Sequence, residues 1–173
     1  MKNLEKNNTK IWLHKFLPII LLFLSVLNEF DFNNLEFQYF SFNFSYILIF
    51  HYSLKRSQSF GFISIFIAGL FNDVITGIPM GISSLAYLLL CGAAAYLRNI
   101  TLRPNLIKDW FFFLITILVI NSLSFMLLTL IFNYEINYLD QLINVMCTFL
   151  LYFIFSRLFS LFDDFILGGS NAR

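Results

Sequence analysis

Six long apolar segments divide this chain, and they constrain its fold more than any other feature. The segments cover residues 11–27, 40–54, 60–75, 79–97, 110–132 and 139–162. Only helices and closed barrels cross a bilayer, because hydrocarbon offers unpaired backbone groups no water. The segments are too long and too continuously apolar for barrel strands, which have about ten residues of alternating polarity. We therefore predict an all-α integral membrane protein with six transmembrane helices.

The composition agrees with a membrane environment. Of the 173 residues, 59% are hydrophobic and only 12% are charged, whereas about 25% are charged in an average soluble domain. The net charge of +1 comes with no clustered basic face, so nucleic acid is not an expected partner. Because the polar connections are short, we expect one polytopic membrane domain over residues 1–173 and no soluble catalytic domain.

The distribution of charge predicts the orientation of the helices. Basic residues favour the cytoplasmic side of a membrane protein. With six crossings and a cytoplasmic N-terminus, all 11 basic residues fall on that side. Five acidic residues then face outward: Glu29, Asp31, Glu36, Glu135 and Asp140. The second segment is short for a crossing, but without it Lys55 and Arg56 would lie outside. We predict that both termini are cytoplasmic and that the first helix is retained, since no cleavage motif follows it.

Small residues and one acid mark the junction of the third and fourth segments. Gly69, Asp73, Gly77 and Gly81 recur every four residues around Pro79. On a helix this spacing puts Gly69 and Asp73 on one face, where glycine lets another backbone approach closely. We expect a tight glycine- and proline-containing hairpin on the outer side. The fourth helix should start at Pro79, because proline suits the first helical turn.

Asp73 is an acid within an apolar segment, and two hypotheses explain it. Its carboxylate could accept hydrogen bonds from the free N–H groups at the start of the fourth helix. Alternatively, an ionisable residue in a membrane span marks a substrate or proton site. The position near the predicted outer interface favours the structural cap. Further along, the slim run from Gly92 to Ala95 suits close packing of helices.

The residues that catalytic and metal sites require do not come together in this sequence. A serine protease would need a histidine near Ser83, but His14 and His51 lie toward the cytoplasmic side. We expect His51 to be a polar tip at the membrane interface. Nucleotide-binding and metal-binding motifs do not occur. We therefore predict no enzymatic activity, no catalytic residues, no metal and no cofactor.

The segment from Gly69 to Gly81, with the apolar helix that ends at Arg98, resembles the MreD family of rod shape-determining membrane proteins. The family has Gly-Leu, Asp, Gly, Pro, Leu and Gly around its third hairpin, and the resemblance covers about residues 61–98. Two departures occur. Met80 stands where leucine is commoner, and the proline expected before the second helix is absent.

The resemblance implies a non-enzymatic scaffold in the bacterial inner membrane that serves cell-wall elongation, peptidoglycan synthesis and cell shape. It implies four protein partners besides membrane lipid: MreC, the glycosyltransferase RodA, a penicillin-binding transpeptidase and the actin-like MreB. Gly69, Asp73, Gly77, Pro79 and Gly81 would hold the hairpin that shapes a partner-binding surface. The alternative is a membrane substrate-binding subunit of a vitamin-type uptake transporter, for which the sequence offers few polar groups to orient a ligand.

Overall fold

The computed structural model describes residues 16–27, 42–55, 61–101, 105–134 and 137–168, with side chains up to residue 162. These residues form six α-helices and no strand. The helices are α1 (Phe16–Leu27), α2 (Phe44–Lys55), α3 (Phe62–Thr76), α4 (Ile82–Ile100), α5 (Leu106–Phe132) and α6 (Tyr138–Gly168). The prediction of an all-α fold is confirmed for this part of the chain. The predicted helix starts at residues 11, 40 and 60 lie outside the described residues.

The start of α4 was predicted wrongly. The helix begins at Ile82, and Pro79 lies in the turn before it. The cause is Gly81, whose φ of 104° is incompatible with a right-handed helix. The first helical turn therefore forms only after this glycine.

The bounds of the last two helices also differ from the prediction. α5 begins four residues before residue 110, because Asn105 caps it. The Asn105 side chain accepts a hydrogen bond from the backbone N–H of Ile107 at 3.1 Å, which is the usual action of an N-cap asparagine. α6 continues past the predicted end at residue 162 and stops at Gly168.

α2 is the central helix of the bundle. Ten of its 12 residues, Ser45 to Leu54, are buried. α4 and α6 pack along it, and Phe50 contacts the rings of Phe113 in α5 and Tyr152 in α6. Twelve helical residues measure about 18 Å at ~1.5 Å per residue, less than the ~30 Å hydrocarbon core of a bilayer. α2 is therefore a core helix that its neighbours enclose.

Three hydrogen bonds connect α2 and its preceding residue to α6, and we call them the α2–α6 polar seam. Each pair is 105 residues apart: Asn43 with Thr148, His51 with Ser156, and Lys55 with Ser160. The backbone N–H of Asn43 donates at 2.9 Å, and His51 Nδ1 lies 3.1 Å from the Ser156 hydroxyl. The constant offset means that the two helices run parallel and in register.

The expectation that His51 is an interfacial polar tip is wrong. Its side chain is only 1% exposed and lies against the rings of Tyr52 and Phe159. The hydroxyl of Ser156 provides the polar contact that an imidazole needs inside an apolar bundle.

The helices alternate in direction, so the bundle has two ends. At the hairpin end, α1 finishes beside the start of α2, where the hydroxyls of Ser25 and Ser45 lie 2.7 Å apart. At the Lys55 end, where α2 and α4 finish, Arg98 Nη1 donates to the carbonyl oxygen of Ser53 at 2.9 Å. The basic side chains of the described chain are Lys55, Arg98, Lys108 and Arg157, and all four lie toward the Lys55 end.

Two helices of the described chain are long and apolar enough to cross a membrane, α5 and the stretch Tyr138–Phe162 of α6. α1 and α3 are apolar but shorter. The outer surface of the bundle is also apolar, with Ile63 and Leu130 exposed by 75% and 69%. Soluble monomers rarely expose large continuous apolar patches, so this surface supports membrane association.

Candidate functional site

One face of α3 is buried, and it carries two of the predicted site residues. The buried residues are Ile65, Ala68, Gly69 and Asp73, which follow the three- and four-residue spacing of a single helix stripe. The stripe faces α4, the helix with which α3 makes its main contact. Gly69 and Asp73 therefore share one face, as their spacing predicted, and that face lies at the α3–α4 interface.

Gly69 brings the backbones of α3 and α4 into contact. A Cβ atom at this position would overlap Cα of Ser84 and would lie 2.6 Å from its backbone nitrogen. The hydroxyl of Ser84 donates to the carbonyl oxygen of Phe66 at 3.1 Å, which adds a hydrogen bond beside the contact. No residue other than glycine fits at position 69 without separating the helices.

Two glycines shape the turn because of their backbone conformation. Gly77 ends α3 with a φ of 69°, and Gly81 precedes α4 with a φ of 104°. A Cβ at either glycine would meet nothing within 4 Å, so space does not require glycine there. The requirement is the left-handed conformation, which costs other residues roughly 1–2 kcal/mol. Pro79 lies between the two glycines, in the turn.

The Asp73 carboxylate supplies the cap that α4 itself lacks. Its Oδ2 accepts a hydrogen bond from the backbone N–H of Gly81 at 2.6 Å, and its Oδ1 accepts one from Ser83 at 2.8 Å. Gly81 stands at the N-cap position and has no side chain to do this. The partial positive charge of a helix N-terminus also stabilises a carboxylate. This is the contact that the capping hypothesis describes.

The geometry leaves little access to Asp73 for a substrate. The side chain is 0% exposed, and each oxygen is already paired with a backbone donor. Next to it, the side-chain amide of Asn72 donates to the Ser83 hydroxyl at 3.0 Å. Within the described residues, no group of three or more His, Cys, Asp or Glu side chains could hold a metal ion.

Asp109 is a buried acid that the sequence reasoning missed. Its side chain is 6% exposed and lines a cavity with Lys55 and Arg98 at the Lys55 end. A signal was present in the sequence, because Asp109 directly precedes an apolar segment. The predicted fifth segment began at residue 110 and so left Asp109 out, because the cap at Asn105 was not recognised.

Neither a protein-family model, nor a curated protein, nor a solved structure matches this chain. The resemblance to MreD therefore rests on the residues around the α3–α4 hairpin.

Gly69 and Gly92 offer opposite outcomes for the same substitution. Gly69→Ala should destabilise the protein by about 1–3 kcal/mol, because the added methyl overlaps backbone. Gly92, in α4, meets nothing within 4 Å, so Gly92→Ala should stabilise by about 0.5–1 kcal/mol through helix propensity. The measurement is the temperature at which the purified protein in detergent loses its monodisperse peak in size-exclusion chromatography. Equal shifts for the two variants would contradict the close approach at Gly69.

Asp73→Ala should destabilise the protein by roughly 1–3 kcal/mol for each N–H group that loses its acceptor. Asp73→Asn, which keeps one acceptor oxygen, should fall between this variant and the native chain. The control is Asp140→Ala, since Asp140 is exposed in the first turn of α6 and should cost only about 0.3–1 kcal/mol. Stability and cellular abundance are measured together. Normal abundance of Asp73→Asn with loss of partner binding would show that capping alone does not explain Asp73.

Proposed function

We propose that this chain is a non-enzymatic, multi-pass scaffold of the bacterial inner membrane that serves cell-wall elongation and cell shape. The observation that carries the proposal is the α3–α4 hairpin. The residues through which the sequence resembles MreD are the ones that build it: Gly69 at the helix contact, Asp73 at the cap, and Gly77 and Gly81 in the turn. These residues fix the shape of the hairpin, which suits a protein whose role is to present a surface to binding partners.

The outer face of α3 supports a role in binding other membrane proteins. Its inner face is fixed to α4, while Ile63, Phe71 and Val74 are 75%, 51% and 59% exposed. In a bilayer such side chains contact lipid or the helices of partner proteins. A rigid hairpin lowers the entropy lost when a partner binds, which favours docking.

α4 provides a second surface, which we call the Gly92 face. Leu85, Leu89, Gly92 and Tyr96 are all exposed and follow helical spacing along one stripe. The space above Gly92 is open. Membrane helices associate through small residues that let backbones approach. The Gly92 face therefore suits the docking of a partner helix, and MreC, RodA and the penicillin-binding transpeptidase are the partners that the resemblance implies.

The proposal includes six crossings with both termini in the cytoplasm. The separation of charge supports it: the described basic side chains lie toward the Lys55 end, and the hairpin end holds the neutral tip around Met80. The same orientation leaves the basic end available to MreB filaments and to anionic lipid. The short α2 would cross while enclosed by its neighbours, so its length need not match the bilayer.

Cysteine labelling tests the orientation. In a chain carrying Cys91→Ala and Cys147→Ala, Met80→Cys should react with a membrane-impermeant maleimide in intact spheroplasts, because Met80 is 75% exposed at the hairpin tip. Asn105→Cys, at the exposed start of α5, should react only after permeabilisation. The cysteine-free chain is the control. Labelling of both positions from the same side would contradict the proposed orientation.

The uptake-transporter alternative is supported by a cavity between α5 and α6. It measures about 470 Å³, within the ~300–1,000 Å³ range of small-molecule sites. Its polar lining includes Asn121, Ser122 and Gln141 among apolar side chains. A small molecule bound here would make the chain a substrate-binding subunit, and its partner would then be a transport ATPase with a coupling subunit.

Affinity purification from native membranes in mild detergent, with mass spectrometry of the bound proteins, separates the two functions. We expect MreC together with RodA or the transpeptidase. Gly92→Leu should lower the recovery of the partner that docks on the Gly92 face about tenfold, for a loss of ~1.4 kcal/mol. Ile154→Leu, at an exposed position of α6, is the control. Recovery of a transport ATPase instead would overturn the scaffold proposal.

A further inference from the structure

A cavity that contains charged side chains opens at the Lys55 end, between α2, α4 and α5. Its volume is about 420 Å³, and its lining residues are Leu54, Lys55, Arg98, Thr101 and Asp109. The volume falls in the ~300–1,000 Å³ range of sites for small ligands or headgroups. Among the residues that the structure describes, three helix ends therefore bring two cations, one hydroxyl and one acid to a single cavity.

The two cations are held in place by α2 and α6. Arg98 Nη1 donates to the Ser53 carbonyl oxygen at 2.9 Å, and Lys55 Nζ donates to the Ser160 hydroxyl. A guanidinium has five N–H donors and an ammonium has three. Each anchoring bond uses one donor and restricts the side chain, so the cations can offer further donors to an anion. Phosphate oxygens are typical ligands for such a pair.

The acid in the cavity requires a cation as well. Asp109 is 6% exposed, and the positive charge of Lys55 acts on its carboxylate. A carboxylate removed from water is costly unless a charge or several donors compensate it. A ligand that carried only negative charge would bind Lys55 and Arg98, and the negative charge of Asp109 would then be less well compensated by these cations. A ligand with a phosphate and an amine would serve both kinds of group.

We propose that this cavity binds the headgroup of phosphatidylethanolamine, with its phosphate at Lys55 and Arg98 and its primary ammonium at Asp109. Thr101 adds a hydroxyl that can donate to the phosphate. The inference rests on the proposed membrane placement, which puts this end at the headgroup layer. It does not depend on the scaffold role.

Native mass spectrometry of the delipidated, full-length protein tests the site. The probes are dioleoyl phosphatidylethanolamine, dioleoyl phosphatidylglycerol with the same chains, and soluble phosphoethanolamine. The native chain should bind phosphatidylethanolamine about tenfold more tightly than phosphatidylglycerol, a difference of ~1.4 kcal/mol. Asp109→Asn should abolish this preference, and Arg98→Gln should weaken both lipids. Tight binding of phosphoethanolamine alone, without the lipid, would assign the site to a soluble ligand and overturn the lipid proposal.

Lys108→Gln is the matched control, because Lys108 is an exposed cation next to Asp109 in α5 that does not line the cavity. It should leave both affinities unchanged. If Asp109→Asn does not yield folded protein, the exposed Lys55 replaces it, and Lys55→Gln should weaken phosphatidylethanolamine binding about tenfold. Equal binding of the two lipids by the native chain would overturn the proposal, as would a preference that survives Asp109→Asn.

The outcome is separable from that of the scaffold proposal. Lipid selectivity in the purified chain, together with recovery of a transport ATPase from membranes, would leave the cavity assignment in place and remove the scaffold role. Recovery of MreC without lipid selectivity would leave the scaffold role in place and remove the cavity assignment.

Discussion

Backbone groups at the start of α4 create the constraint on which the hairpin depends. In an apolar environment an N–H group without an acceptor costs several kcal/mol, and the N-cap residue Gly81 has no side chain to provide one. Asp73 provides both acceptor oxygens from the last turn of α3. Burying a carboxylate is itself costly, but two backbone donors and the helix dipole compensate it. The pair of hydrogen bonds thus fixes the end of α3 to the beginning of α4.

The rest of the bundle follows from this attachment. With the helix ends joined, the glycine at position 69 lets the two backbones meet at Ser84. α4 in turn packs against α2 and α5, so the hairpin is continuous with the core. α2 is enclosed and connected to α6 by the α2–α6 polar seam. The result is a firm interior with an apolar exterior, which agrees with a protein that contacts other membrane components through its outer faces.

The sequence predicted the features that depend on short spacing. The apolar segments indicated helices, and the four-residue repeat put Gly69 and Asp73 on one packing face. Features that depend on distant partners escaped prediction. His51 is buried because Ser156 lies beside it, 105 residues further along the chain, and no local pattern indicates that pairing. The start of α4 was misjudged because proline suits a first helical turn, whereas the φ of Gly81 is set by the whole hairpin. Asp109 was missed because the predicted start at residue 110 lies four residues after the actual start of α5 at Leu106, which leaves this buried acid of the first turn outside the predicted helix.

The proposed role in cell elongation is tested most directly by the shape of cells that lose this chain. We predict that depletion in the organism that encodes the chain makes cells wider and rounder, and that new peptidoglycan is no longer inserted mainly along the side wall. Expression of the native chain should restore the rod shape. Cells that remain rods of normal width after complete depletion, with normal side-wall synthesis, would contradict the proposed role.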